Sequence, residues 1–312
     1  MTSAKKLGES MQDSVRKRKA MVKKFGFVPM SVLKLSRGSL SKSMFVYQNE
    51  VPTRTGNTDT GWRERVGREK ADETLAAYKE VGYKGTVGYR NNEAKDRKGL
   101  SIMPAELVDF FVKYYTVPGQ TYVDPFMGQG IQMQVAKLRG LHYLGMDASE
   151  EFVRYIQAIA ERINDGETKI EANLGDSRFP EAIPDGVGDF SFHSPPYWDI
   201  EFYGTEEAQL GHGQSYPDFL EGMHDVAKAW LPKHKPGAYH VVNVNDFRRD
   251  GRFYSYHADT IAFYLRAGWE LHDQWIIEGL VGGLPKIFGV NYNKNRIAPK
   301  VHEFAIVFRR PS

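Results

Sequence analysis

Two short segments of the chain carry residues whose types and spacing suit chemistry on a bound ligand. The first is VDPFMGQG at 123–130, where a predicted strand runs into a predicted helix. Glycines at such a turn let backbone approach a ligand closely, and the helix N-terminus that follows favours anionic groups. Gly128 and Gly130 are only two glycines, short of the full GxGxxG fingerprint. They would equally serve a plain tight turn. Asp147 ends the next predicted strand, where a carboxylate would accept both hydroxyls of a ribose. Asp176, in GDSR after the third, is placed to receive an adenine amino group. Each acid alone would also do as a helix cap. Taken in order at successive strand ends, they describe a site for an adenosine-bearing cofactor.

The second segment is HSPPYWD at 193–199. Consecutive prolines fix φ and remove two N–H donors, which leaves rigid carbonyls at a strand's C-terminal end. The amino group of a nucleic-acid base is a poor nucleophile, because its lone pair is delocalised into the ring. Acceptors at the Ser194 hydroxyl and the Pro195 carbonyl would hold its N–H bonds and aim the lone pair at an incoming methyl. That chemistry needs positioning and electrostatics and no covalent intermediate. Tyr197 offers a face on which a flipped-out base can stack. An isolated PPY would more simply be a rigid turn with a packing tyrosine.

Elements able to position these segments begin near residue 100. PAELVDFFVKYYTV reads as a helix with Pro104 at its first position. TYVDPF is a strand, GIQMQVAKLRG a helix stopped by Gly140, HYLGMD a strand, and the helix from Glu150 is capped by Ser149. Strands at IEANLGD and GDFSFHSPPY follow, then a helix at YPDFLEGMHDVAKAWLP, a strand at AYHVVNVND and a helix at YHADTIAFYLRAG. The alternation predicts an α/β, Rossmann-like, doubly wound, mostly parallel sheet. WELHDQWIIEG and HEFAIVFRR have no helix between them, which predicts an antiparallel C-terminal edge. Residues 1–97 read as an irregular basic N-terminal extension with one helix at 62–82, and residues 98–312 as the α/β domain. The apolar cluster FGFVPMSVLKL at 25–35 should pack against something.

Composition narrows the chemistry. The chain of 312 residues has no cysteine, so it has no disulfide, no Cys-ligated zinc and no thiolate nucleophile. Covalent cytosine-C5 methylation and cysteine-ligated zinc deamination are closed to it. His302 and Glu303 gather no further ligands, and no metal is expected. Residues 1–100 hold 22 Lys and Arg against 11 Asp and Glu, whereas the remainder holds 20 against 28. A basic segment beside an acidic body suggests a polyanion partner. No apolar run approaches a membrane span and the basic N-terminus lacks an apolar signal core, so a cytoplasmic protein without membrane contact is expected.

DPFMGQG followed by SPPY resembles the amino-methyltransferase family that makes N6-methyladenine or N4-methylcytosine in DNA. The resemblance runs from about residue 98 to the C-terminus, in the order cofactor motif first and catalytic motif second. VPMSVLKL, the WRER helix, SPPYWDIEFYG and VNVNDFRRDGRFY are similar, more particularly, to DNA methylases of bacteriophages, which implies a prokaryotic or phage-infected host cell. The resemblance implies S-adenosylmethionine as cofactor, held by Asp124, Pro125, Phe126, Gly128, Gly130, Asp147 and Asp176, with Lys98 and Pro104 closing its methionine end. It implies Ser194, Pro195, Pro196 and Tyr197 as the catalytic motif. Serine in its first position favours cytosine-N4 over adenine-N6. Double-stranded DNA is the expected partner, with Trp198 near the base and Lys286, Lys294 and Arg296 on an aromatic-rich contact surface. Two other readings stay open: an RNA base amino-methyltransferase, and a DNA-binding module that kept the fold without turnover.

Overall fold

A computed structural model describes residues 16, 19–24, 31–34, 103–128, 130–163, 166–200, 206–211, 213–278 and 302–312. The expected helix at 62–82 lies outside them.

The first strand of the main domain, β2 (Thr121–Asp124), is buried along its whole length, as expected of a strand covered on both faces. It pairs in parallel with β3 (His142–Asp147), and β3 with β4 (Ile170–Leu174). On its other side β2 pairs in parallel with β5 (Gly188–His193), and β5 with β6 (His234–Val244). The chain therefore winds outward from β2 in one direction and then returns to wind in the other. The switch point lies between β2 and β5, the place where ligands bind in doubly wound sheets. Beyond β6 comes β10 (His302–Arg309), antiparallel both to β6 and to β9 (Glu270–Glu278) on its other side, so the predicted antiparallel pairing is present. The eighth strand, β1 (Val32–Lys34), pairs in parallel with β9 and gives the order β1-β9-β10-β6-β5-β2-β3-β4. It comes from the apolar cluster at 25–35, and Leu33 is buried.

Strand periodicity decides which helices cover which face. Tyr122, Tyr143, Phe190, Phe192, Val241 and Val307 point to one side, where α1 (Ala105–Tyr115), α2 (Ile131–Leu138) and α3 (Glu150–Ile163) pack. Their neighbours Val123, Leu144, Val242, Ile306 and Phe308 point to the other, under α4 (Tyr216–Trp230) and α5 (Tyr256–Arg266). Element ends follow local chemistry. Ser215 caps α4 by accepting from the Asp218 N–H, and Gly140 takes φ 68° just after α2. Pro104 sits at the N-cap of α1, one place earlier than predicted, with its carbonyl accepting from Leu107 and Val108.

One element had not been anticipated. After β6 the chain makes a two-stranded hairpin, β7 (Phe247–Arg249) and β8 (Arg252–Tyr254), through Asp250 and Gly251 at φ 50° and 79°. Two successive positive φ values are the mark of a type I′ turn, which Asp-Gly favours. That dipeptide was the signal available in the sequence.

Candidate active site

The two chemistry-bearing segments emerge side by side at the switch point, DPFMGQG from β2 and SPPY from β5. Asp124 is fully buried: one carboxylate oxygen accepts from the Phe126 N–H at 3.0 Å and the other from the Tyr143 hydroxyl at 2.8 Å. Burial pushes its pKa up to about 7 against those two donors. In this geometry Asp124 supports the turn from beneath. Pro125 is buried and its carbonyl accepts from the Ser177 hydroxyl. Phe126 stays half-exposed beside the His193 ring, 5.3 Å between centroids.

Gly128 and Gly130 need their positive φ, 48° and 75°. Among the described residues a Cβ on Gly128 would meet nothing within 4 Å, whereas one on Gly130 would press on Ile156 at 3.0 Å. Gly145 on β3 escaped the sequence reading. Its Cβ would lie 2.4 Å from the Met127 side chain, so the buried Met127 needs a glycine beneath it.

Asp147 at the end of β3 accepts from the Gly128 N–H at 2.8 Å and the Ser149 N–H at 2.9 Å. It thereby ties the glycine turn to the next strand. The carboxylate is half-buried, and burial raises its pKa to about 6 despite those donors. Asp176 is differently engaged. Both its oxygens hold the Arg178 guanidinium, at 3.0 Å from Nε, and one accepts from the Arg178 N–H at 2.8 Å. An adenine amino group would have to share that carboxylate. The turn at Gly128, the adjacent Asp147 acceptor and the start of α2 fit the ribose end of an adenosine cofactor.

In the second segment Pro195 and Pro196 are buried, while Ser194 and Tyr197 are half-buried. The Ser194 hydroxyl makes no hydrogen bond among the described residues. The Pro196 carbonyl accepts from the Tyr256 hydroxyl at 3.2 Å, which anchors the motif to α5. Trp198 follows in a short 3-10 turn, Trp198–Ile200, with φ 42°. That conformation is costly for a bulky side chain and persists only where surroundings impose it. Here its indole N–H donates to the Gln214 carbonyl at 2.8 Å, and Tyr216 and Tyr254 each lie 5.3 Å from its ring. Gly211 packs on its backbone so closely that a Cβ would fall 2.7 Å from the Trp198 carbonyl oxygen.

His193, one residue before the motif, is fully buried and not on the site's surface. Its Nε2 lies 2.9 Å from His240 Nε2, and His240 Nδ1 lies 3.2 Å from His234 Nε2, with the Tyr264 hydroxyl 2.8 Å from His240 Nε2. Burial lowers the pKa of His193 to about 3 and of His234 to about 4, and drives His240 well below the ordinary value. The unfolded chain would protonate all three below about pH 6.5. Unfolding therefore takes up protons, and the stability these groups contribute is complete above pH 6.5 and lost as pH falls toward 4. A His193→Phe protein is expected to lose one proton's worth of this dependence, about 1.4 kcal/mol per pH unit between pH 6 and 4. Urea melts across that range would measure the slope; one equal to the parent's would refute the assignment.

At the end of β6, Asn243 donates to Glu303 at 2.7 Å, and Asp246 accepts from the His257 N–H at 3.1 Å and pairs with its Nδ1 at 2.7 Å. These contacts organise the rim. Lys98, Lys286, Lys294 and Arg296, and with them the expected contact surface at 280–300, lie outside the described residues. Among the described residues there is no cluster of three or more metal-ligating side chains, and no helix is long and apolar enough to cross a membrane.

Sheet order and switch point define a Rossmann-like, doubly wound α/β fold, with both motifs at the C-terminal rim of its strands. A family profile described as DNA methylase matches residues 42–158, less than half of the chain. That match includes the glycine turn and Asp147 and ends before SPPY. No curated protein sequence matches the chain. Similar solved structures include an S-adenosylmethionine-dependent methyltransferase from Methanosarcina mazei, 16% identical with TM-score 0.44, over 68% of this chain and 99% of that one. Another is a candidate DNA modification methylase from Thermus thermophilus in complex with S-adenosyl-L-methionine, 24% identical with TM-score 0.33. That similarity covers 44% of this chain and 52% of the other, so the chain spans about half the length of that relative.

Proposed function

We propose that the chain transfers a methyl group from S-adenosylmethionine to the exocyclic amino group of a base in double-stranded DNA, with cytosine-N4 favoured over adenine-N6. The observation that carries this reading is the placement of DPFMGQG and SPPY on the adjacent strands β2 and β5, either side of the switch point. The DNA methylase profile over 42–158 supports it. When bound, S-adenosylmethionine supplies an electrophilic methyl on a sulfonium.

The remaining work belongs to the chain's own residues. Asp147 accepts from the ribose hydroxyls, and the Gly128 turn leaves room for the sugar. Phe126 flanks the ligand between the two motifs. Ser194 Oγ and the Pro195 carbonyl accept the two N–H bonds of the target amine, which turns its lone pair out of conjugation and toward the methyl. Pro195 and Pro196 hold these acceptors rigid, so little reorganisation is needed at the moment of transfer. Tyr197 stacks on the base, which must leave the duplex to reach so recessed a motif.

Incubating the protein with labelled S-adenosylmethionine and a plasmid of varied sequence should transfer label to DNA, and single-molecule sequencing should find N4-methylcytosine. Label on structured RNA instead of DNA would overturn the choice of nucleic acid. Cofactor binding with no transfer to either would mark the chain as a binding module.

A further inference from the structure

We propose that the β7–β8 hairpin grips the phosphodiester backbone of the strand that carries the target base, through Arg248 and Arg252. The inference rests on the reading of the adjacent site as one that acts on DNA. Position is the first argument. The hairpin follows the C-terminal end of β6, on the same rim as SPPY, because β5 and β6 run parallel. It is pinned to the motif: Tyr254 and Phe247 pack on Trp198 at 5.3 and 6.4 Å, and Phe247 on Tyr256 at 5.9 Å. A strand held by the hairpin would therefore pass the mouth of the candidate site.

Charge is the second argument. Residues 101–312 carry a net acidic balance, yet these eight residues, FRRDGRFY, hold three arginines and one aspartate. Arg249 pairs with Asp250 at 3.5 Å. Arg248 and Arg252 are exposed and have no carboxylate partner among the described residues.

Geometry is the third. Each guanidinium lies over an aromatic ring: Arg248 over Phe253 at 5.0 Å, Arg249 over Trp198 at 4.9 Å and Arg252 over Tyr254 at 5.1 Å. The ring face attracts the cation without supplying the oxygen acceptors that a guanidinium meets in pairs on phosphate. In the pairing register Arg248 faces Phe253 and Arg249 faces Arg252, so Arg248 and Arg252 project from opposite faces of the ribbon. They would contact separate phosphates.

The test compares the full chain with R248Q/R252Q and with K169Q/K235Q, an equal change of charge at the opposite ends of the strands. Affinity for a fluorescent 30-base-pair duplex is measured across a salt series, with cofactor affinity and methyl transfer measured in parallel. The double arginine variant is expected to lose about 2 from the magnitude of the salt slope. It should bind roughly 10- to 100-fold more weakly at low salt, with cofactor affinity unchanged. R248K/R252K should restore the slope. A variant that binds like the lysine control overturns the hairpin assignment, even where wild-type methylation upholds the reading of the site. A weakened variant of a protein that transfers no methyl to DNA supports the hairpin and overturns that reading instead. A wild-type chain with no affinity for duplex DNA overturns both.

Discussion

Replacing Ser194 by alanine is expected to lower the turnover of methyl transfer by about 10²- to 10³-fold while leaving cofactor affinity within twofold. The magnitude is that of removing one preorganised hydrogen-bonding group from a site where charge develops, about 3–4 kcal/mol. A structural explanation for such a loss is poor here. Among the described residues the Ser194 hydroxyl makes no hydrogen bond, and the backbone is held by its neighbours: buried Pro195 and Pro196, and the Tyr256 hydroxyl on the Pro196 carbonyl. Substitution should therefore change folding stability by no more than about 0.5 kcal/mol. Rapid-quench turnover, calorimetric cofactor binding and a thermal melt, taken together, separate the roles. If turnover falls only in step with stability, Ser194 is a packing residue.

Much of this arrangement was legible in the sequence because the relevant residues act through the backbone. Gly128 and Gly130 permit a positive φ that other residues avoid, whereas Pro195 and Pro196 fix φ, and few contexts require either. Other features depend on pairing that a linear reading does not contain. His193, His234 and His240 look like three unrelated residues. They meet because β5 and β6 lie side by side in a register where Ser191 faces His240 and His193 faces Val242. The hairpin escaped for a different reason. Its strands are three residues each, too short for alternation to register, and arginine stands where a strand pattern would lead one to expect an apolar residue. Only the Asp250–Gly251 turn announced it. Asp124 adds something the linear motif does not contain: full burial and two internal donors make it a support of the glycine turn.

Asp147 joins the two kinds of information, and its removal should give the second large effect. An Asp147→Ala protein is expected to bind S-adenosylmethionine about 10²-fold more weakly, with turnover at saturating cofactor much less affected. Two terms add. The ribose would lose a charged acceptor, with hydrogen bonds to charged groups contributing about 1.5–3 kcal/mol each. The Gly128 and Ser149 N–H groups would also lose the carboxylate that ties the turn to β3. Asp147→Asn separates them, since the amide oxygen can still accept from backbone but lacks charge; it should recover part of the affinity and none of its pH dependence. That dependence follows from burial, which raises the Asp147 pKa to about 6. Accepting from a ribose needs the ionised form, so cofactor affinity should rise as pH passes upward through about 6 and level off above 7. In the asparagine protein this rise should vanish. Calorimetry from pH 5 to 8 on both proteins is the check: a wild-type affinity that does not change with pH would refute a role for the ionised carboxylate.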